Sequence, residues 1–255
     1  MHTTSRLIFA DTLHILYQDE DLIAIHKPAG LMVHRSAMDA AETQSAVQQL
    51  RAQLGMHVLP VHRLDRATSG LLLFACHRKS ASALSAQFAA HSISKSYLAI
   101  VRGYAPDEAH IDHPVKAQAD KHSPAHWPRG ITDLQTLARC ELPIANDRYP
   151  SSRYSLVQLQ PKTGKRHQLR YHMKHLSHPI IGDPKYGKSL HNTLFKTHFG
   201  SERLLLAATG LRLVHPATQQ PLQLVCPPSE DFMAVTRQLG WAENVAAHCL
   251  ALQAG

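Results

Sequence analysis

Apolar and polar residues alternate through LHILYQDEDLIAIHK at 13–27, which predicts two short strands about a polar turn at Gln18–Asp21, closed by the break Pro28–Ala29–Gly30. Residues 42–54 (ETQSAVQQLRAQL) have helical spacing, and Gly55 fits the end of that helix. The run Gly70–Ala75 (GLLLFA) reads as a buried strand, Ser80 as the cap of a helix reaching Ala90, and 95–102 (KSYLAIVR) as another strand. Residues 106–150, rich in Pro, His and polar side chains, fit either a long surface excursion or a pair of irregular strands. Beyond them, 153–160 (RYSLVQLQ) alternates as a strand, 165–176 resembles a helix, and 177–202 reads as a loop. RLLLAATGLRLVHP at 203–216 suggests two more strands, and 229–253 a terminal helix. Strands outnumber helices, and few helices stand between consecutive strands as crossovers. The expected fold is therefore α+β, one domain with a mainly antiparallel mixed sheet and flanking helices and loops.

Composition narrows the partners. Of 255 residues 44% are apolar and 18% charged, enough for a sizeable core and little disorder. The formal charge is +8 before any of the 20 histidines takes a proton, which favours polyanionic partners: RNA, DNA or an acidic membrane surface. No apolar run approaches the about 18 residues of a membrane span, and residues 1–11 lack a signal-peptide core. Cys76, Cys140, Cys226 and Cys249 are widely separated, a pattern of reduced thiols in a cytosol rather than of disulfides or structural zinc. His172, His175 and His178 have no acidic neighbour and H-E-x-x-H is absent, so no metal site is expected.

The position of the acids changes the picture most. Between Thr43 and Pro106 the single acidic residue is Asp65, among Arg51, Arg63, Arg66, Arg78, Lys79, Lys95 and Arg102. A second acid-free stretch, 148–182, carries Arg148, Arg153, Lys162, Lys165, Arg166, Arg170 and Lys174. Such stretches suit contact with nucleic-acid phosphates, which a carboxylate would repel. Asp65 itself stands in VHRLDRATSGLLLFA between Arg63 and Arg66. Neighbouring cations favour the charged carboxylate that a nucleophile or base requires. An Asp that caps a turn or pairs with an arginine for stability is the competing account of the same residues.

HRLDRATSGLLLF at 62–74 resembles the active-site motif of the RluA-like pseudouridine synthases. Three further segments agree in the family's order: LIAIHKPAGLMVH at 22–34, KSYLAIVRG at 95–103, and PKTGKRHQLRYHMKHLSHPIIGDPKYG at 161–187. The resemblance spans 13–228, with 1–12 as an extension, 229–255 as a helical segment packed on the catalytic domain, and no S4-type domain. It implies an isomerase that converts uridine to pseudouridine in RNA across a central cleft, without cofactor or metal, as a cytoplasmic monomer. Asp65 would start cleavage of the glycosidic bond. Tyr97 would lie against the extruded uracil and assist loss of the C5 proton, and Arg170 would pair with Asp65. Arg63 would fill the place of the flipped nucleotide, with Arg66, Lys165, Arg166 and His167 also on the RNA. Within the family, HKPAGLMVHRS and RYPSSRYSLVQLQPKTGKRHQLR most resemble the branch acting on the uridine at tRNA position 65, with ribosomal RNA as the alternative substrate. One departure is Leu206–Ala207–Ala208, where the family often has L-H-A.

Two readings compete. Gly182–Ser189 satisfies G-x-x-x-x-G-K-[ST], the phosphate-binding loop of an NTPase. Against it, Pro184 removes an amide, Pro179–Ile181 is a short strand to hold such a loop, and RLLLAATG offers no acid for Mg²⁺. An RNA-binding protein without catalysis would keep the cationic stretches but has no need of Asp65, Tyr97 and Arg170 together.

Overall fold

The computed structural model describes residues 12–34, 44–116, 127–146 and 148–254, so the expected N-terminal extension lies outside it except for Thr12. Strands β1 (His14–Gln18) and β2 (Leu22–Lys27) form the expected hairpin, its turn fixed by the Asp19 carboxylate accepting the amides of Asp21 and Leu22. Helix α1 (Ala46–Leu54) starts where the Ser45 hydroxyl accepts from the Gln48 amide, and ends at Gly55 in the left-handed region. Residues 42–43 of the expected helix lie outside the described residues. Short β3 (Leu59–Pro60) and wholly buried β4 (Ser69–Ala75) follow. In α2 (Arg78–Ala89) the cap is His77, whose Nδ1 accepts the Ser80 amide. Ser80, expected as the cap, sits in the first turn because its buried hydroxyl donates to Asp21 across the β1–β2 turn.

Strand β5 (Ser94–Arg102) leads into the segment with two readings, which forms a regular hairpin of β6 (Glu108–Pro114) and long β7 (Arg129–Leu142). These strands escape a firm assignment from sequence because they end the sheet, where one face is wet and carries Glu108, His110, Asp112 and Asp133, and a bulge between Thr136 and Ala138 breaks the alternation of β7. Strand β8 (Ser152–Pro161) and helix α3 (Gln168–His175) match expectation. The expected loop 177–202 contains helix α4 (Ser189–Phe199), which buries His191, Leu194 and Phe195 and stops at Gly200. Residues 203–216 hold one strand, β9 (Leu206–Val214), rather than two: Gly210 does not turn the chain but pairs with Val225 of β10 (Pro221–Val225) and Ser96 of β5. The terminal helix is two helices, α5 (Glu230–Gln238) and α6 (Ala242–Ala254), broken at Gly240.

The strands make one sheet in the order β1-β2-β4-β9-β5-β8-β7-β6, with β3 on β4 and β10 on β9. Every pairing is antiparallel except β4 with β9, which touch in parallel only through Ser69–Ala207 and Gly70–Ala208. At this seam Gly70 has φ +106, and a Cβ there would lie 2.1 Å from the Ala208 carbonyl oxygen, so no other residue fits. Strand β5 explains why the middle of the sheet reads as continuous apolar sequence. Leu98 and Ile100 pack with Phe195, Phe232 and Trp241 of α4–α6, while Ala99 and Val101 face Leu169 and Met173 of α3. Both faces are covered, so alternation disappears.

Candidate active site

The loop 61–68, between β3 and β4, carries Asp65 and is tied down by its neighbours. Gly30 donates its amide to the Arg66 carbonyl, and the Thr68 amide bonds the Asp65 carbonyl. Beneath the loop, fully buried Lys27 gives its ammonium to the carbonyls of Pro28, Leu31 and Arg66 at 2.7–3.1 Å. Burial, helped by the charge of Arg203, pushes Lys27 down to about 7. The K-P-x-G turn thus works as a clamp on the Asp65 loop. On the far side of the loop, the imidazole of His62 accepts the Leu73 amide and stacks on Phe88. Burial, with Lys95 adding to it, pushes His62 down to about 3, so the ring is a neutral acceptor.

Asp65 faces a cleft of about 350 Å³ lined by Arg63, Lys95, Tyr97, Lys165, Arg166, His167 and Leu206 among others. Arg170 projects from α3 into its floor, 7% exposed, and donates Nη1 to Asp65 Oδ2 at 3.2 Å. The same guanidinium gives Nε and Nη2 to the two oxygens of Asp183 at 2.7 and 2.8 Å. Asp183, with no exposed side-chain surface, also accepts the amides of Lys185 and Tyr186. Burial pushes its carboxyl up, but the bonds from Arg170 and those amides outweigh burial and hold it below the usual value. For Arg170, burial opposes the charge, and Asp183 and Asp65 together raise it further. One planar cation therefore bridges two carboxylates through three separate nitrogens of a fixed fork, a span that the single nitrogen of a lysine does not reproduce.

Tyr97, the fourth residue of β5, stands opposite Ala208, beside the β4–β9 seam, and lines the cleft. Burial first, then the charge of Asp65, raises its phenol well above the ordinary value, so it stays protonated near neutrality. His167 precedes α3 with φ 58; its Nε2 is 3.8 Å from Asp65, and its Nδ1 lies 3.2 Å from the Tyr186 hydroxyl. Burial lowers its pKa, Arg170, Arg166 and Lys185 lower it further, and Asp65 opposes them.

The sequence-derived residues Asp65, Tyr97 and Arg170 converge, with Arg63, Lys165, Arg166 and His167 around them. Arg66 does not join them in the cleft wall. Its Nε goes to the Gly30 carbonyl at 3.0 Å, making it part of the loop clamp. The two acid-free stretches also divide. Lys162 pairs with Asp133, and Arg102, Arg148 and Arg153 line a separate groove with Tyr149 and Lys188. The sequence assigns no role to Asp183, Lys27, Lys95 or Tyr186, although Lys27 stands in the segment 22–34, Asp183 and Tyr186 in 161–187, and Lys95 among the cations around Asp65.

The loop that mimics an NTPase motif is turned inward. The amides of Lys185, Tyr186 and Gly187, which such a loop would aim at phosphate, are taken by the side chain and carbonyl of Asp183. Among the described residues one group, Asp19, Asp21 and His215, is spaced to hold a cation. Its atoms already bond Tyr17, Ser80, His77 and each other, fastening the β1–β2 turn to α2 and β9.

Among known proteins, a family model described as RNA pseudouridylate synthase matches residues 21–175. The curated tRNA pseudouridine synthase C of Vibrio cholerae is 45% identical over 239 residues, covering 91% of this chain and 98% of its own. That of Haemophilus ducreyi is 47% identical, covering 90% and 96%. Of solved structures, human RNA pseudouridylate synthase domain containing 4 superposes with a TM-score of 0.66 at 26% identity, over 89% of this chain and 93% of that one. The lone carboxylate, its arginine and its tyrosine all stand in segments that follow this family's order, and the match runs through the cleft from β2 to α3: the chain belongs to the RNA pseudouridylate synthase family.

Proposed function

We propose that the protein isomerises uridine to pseudouridine in tRNA, with the uridine at position 65 as its target. The observation that carries this is a single carboxylate, Asp65, held 3.2 Å from a buried guanidinium at the floor of a cleft walled by cations. The relatives from Vibrio cholerae and Haemophilus ducreyi are tRNA enzymes by name, which favours tRNA over ribosomal RNA. These bacterial relatives also support a cytoplasmic placement.

The reaction breaks the N1–C1′ bond, turns the uracil, forms a C5–C1′ bond and moves the C5 proton off the ring while N1 gains one. No electrons are gained or lost. Asp65 begins it, as nucleophile at the ribose or as base toward it; both routes start from the same ionised group. Protonated Tyr97 supplies an aromatic wall and a hydroxyl beside the base. Leu64, Phe88 and Leu206, apolar side chains of the cleft wall, keep water from the detached uracil, where hydrolysis would compete, whereas Leu71–Phe74 are core residues away from the cleft. A base in a duplex must first leave its stack, at about a few kcal/mol, which phosphate contacts from Arg63, Lys165 and Arg166 offset.

Release of tritium from tRNA carrying C5-tritiated uridine tests the reading. Asp65→Asn should abolish release while tRNA affinity stays within a few-fold; an equally active variant would remove Asp65 from the chemistry. A parent that binds tRNA and releases none would be a binding protein only. Pseudouridine maps of tRNA and ribosomal RNA from a deletion strain decide between the two substrates.

A further inference from the structure

A row of aromatic rings leaves the active cleft and ends on the protein surface. It begins at His167, whose ring meets Tyr186 edge-on at 5.7 Å. Tyr186 meets Tyr171 of α3 at 6.0 Å and 90°. Tyr171 then contacts two rings, His113 of β6 stacked at 5.8 Å and Trp127 edge-on at 6.4 Å. His113 stacks in turn on His175 at 3.6 Å. Buried His172, bonded to Thr132 and the His113 carbonyl, fixes the β6–β7 end against α3.

Trp127 is 51% exposed, although indole is costly to leave in water. The Lys116 ammonium sits over its ring at 5.6 Å, and Lys174 and Lys185 are exposed along the same row. Aromatic faces interleaved with cations are what single-stranded nucleic acid uses: bases stack, and ammonium groups meet the phosphates between them. We propose that Trp127, backed by Tyr171 and flanked by Lys116, stacks an unpaired base of the substrate RNA outside the cleft that takes the target uridine. This rests on the RNA-modifying reading above and adds to it a second contact, continuous with the first through Tyr186. Its role is to anchor the RNA while the target nucleotide turns, and so it acts on binding and leaves the chemical step alone.

The chain contains two tryptophans, and the other, Trp241, is 3% exposed in the core, so fluorescence quenching reports on Trp127. The full chain is titrated with an unmodified tRNA transcript and with a short single-stranded oligoribonucleotide. Both should quench the parent, and quenching should vanish in Trp127→Ala. Affinity of Trp127→Ala should fall roughly 5- to 150-fold, the range that base–aromatic stacking spans. Trp127→Phe should fall between, and kcat at saturating tRNA should match the parent in both, which also shows that they are folded. Trp127→Ala that binds as tightly as the parent, or quenching that persists in it, overturns the proposal. Quenching that rises with protein concentration in the absence of RNA would assign the indole to a second copy and overturn it too. Normal turnover with unaltered binding in Trp127→Ala sinks this platform alone, whereas quenching with no pseudouridine formed in any RNA sinks the activity and leaves the platform.

Discussion

Replacing Arg170 by Lys keeps the charge but removes the planar fork that reaches Asp183 and Asp65 together. The native guanidinium gives two bonds to Asp183, at 2.7 and 2.8 Å, and one to Asp65 at 3.2 Å. The single nitrogen of an ammonium cannot stand where three guanidinium nitrogens now stand, and the fully buried Asp183 has the stronger claim on it. Asp65 then loses a hydrogen bond between charged groups, about 1.5–3 kcal/mol. Spent on the chemical step, that is about a 10- to 150-fold fall in kcat. One of the two Asp183 bonds is lost as well, so unfolding should become easier by a similar about 1.5–3 kcal/mol. RNA affinity should stay within a few-fold, because Arg170 is 7% exposed and the accessible cations are unchanged. Single-turnover tritium release measures the first effect, urea unfolding the second and filter binding the third. A variant with kcat within twofold of the parent would refute the idea that Asp65 needs this partner.

Arg170→Met gives the same argument a pH signature. In the parent, Asp183 is held below the ordinary carboxylate value, so the stability it contributes is fully present above the unfolded value of about 3.9 and is lost as pH falls through the folded one. Without the guanidinium, burial is opposed by two amides only and the folded carboxyl rises. The variant should lie about 3–5 kcal/mol below the parent at neutral pH, and the gap should narrow on acidification toward about pH 4. A gap that stays constant would mean Asp183 does not depend on Arg170.

Lys27→Met should remove a different pH dependence. With the ammonium at about 7 in the fold and 10.5 ordinarily, the unfolded chain holds the extra proton between these values, so parent stability rises with pH across that window. The difference between parent and variant should grow by about 1.4 kcal/mol per pH unit from about 7.5 to about 9.5, as read by urea unfolding; parallel curves would count against a perturbed Lys27. Gly70→Ala places a methyl 2.1 Å from the Ala208 oxygen at φ +106, and should cost on the order of 2–6 kcal/mol and the β4–β9 seam with it. Thermal unfolding within a degree or two of the parent would show that the seam opens without penalty.

What the sequence disclosed follows from where water lies. The β1–β2 hairpin is marked by its polar turn, α1 by the cap at Ser45 and the stop at Gly55, and β8 by the polar residues Arg153, Gln158 and Gln160 set among apolar ones, although both of its faces are covered. Strand β5, dry on both sides, reads as an apolar run that says strand but not which neighbours it joins. Helix α4 was hidden because its sequence, SLHNTLFKTHF, mixes polar residues into the buried face: His191 is buried by its bond to Tyr154, a contact 37 residues away. Asp65, Tyr97 and Arg170 were legible because they sit in contiguous motifs. Asp183 and Lys27 stand in such segments too, but their roles were not legible, since the part a buried charge plays is recognisable only by partners that folding brings to it. Arg66 shows the converse: beside the Asp65 loop it reads as an RNA contact, and nothing in the sequence tells of the bond its Nε gives to the Gly30 carbonyl.

The chain from Asp183 through Arg170 to Asp65 accounts for how a carboxylate stays available in a cleft made for phosphates. Arg63, Lys95, Lys165 and Arg166 line the same space, and a carboxylate free to rotate among them would be drawn to whichever came nearest. Arg170 fixes it from below, and since Asp183 already balances Arg170, the contact directs Asp65 without adding a full unit of uncompensated positive charge beneath it. Burial then separates the two kinds of work. Under the proposed function buried Arg170 would serve the carboxylate, while exposed Arg63 and Arg166 and half-buried Lys165 would be within reach of the phosphates. On that reading a phosphate entering the cleft would meet the rim cations and leave the Asp65–Arg170 contact intact, so that binding substrate would not dismantle the group proposed to act on it.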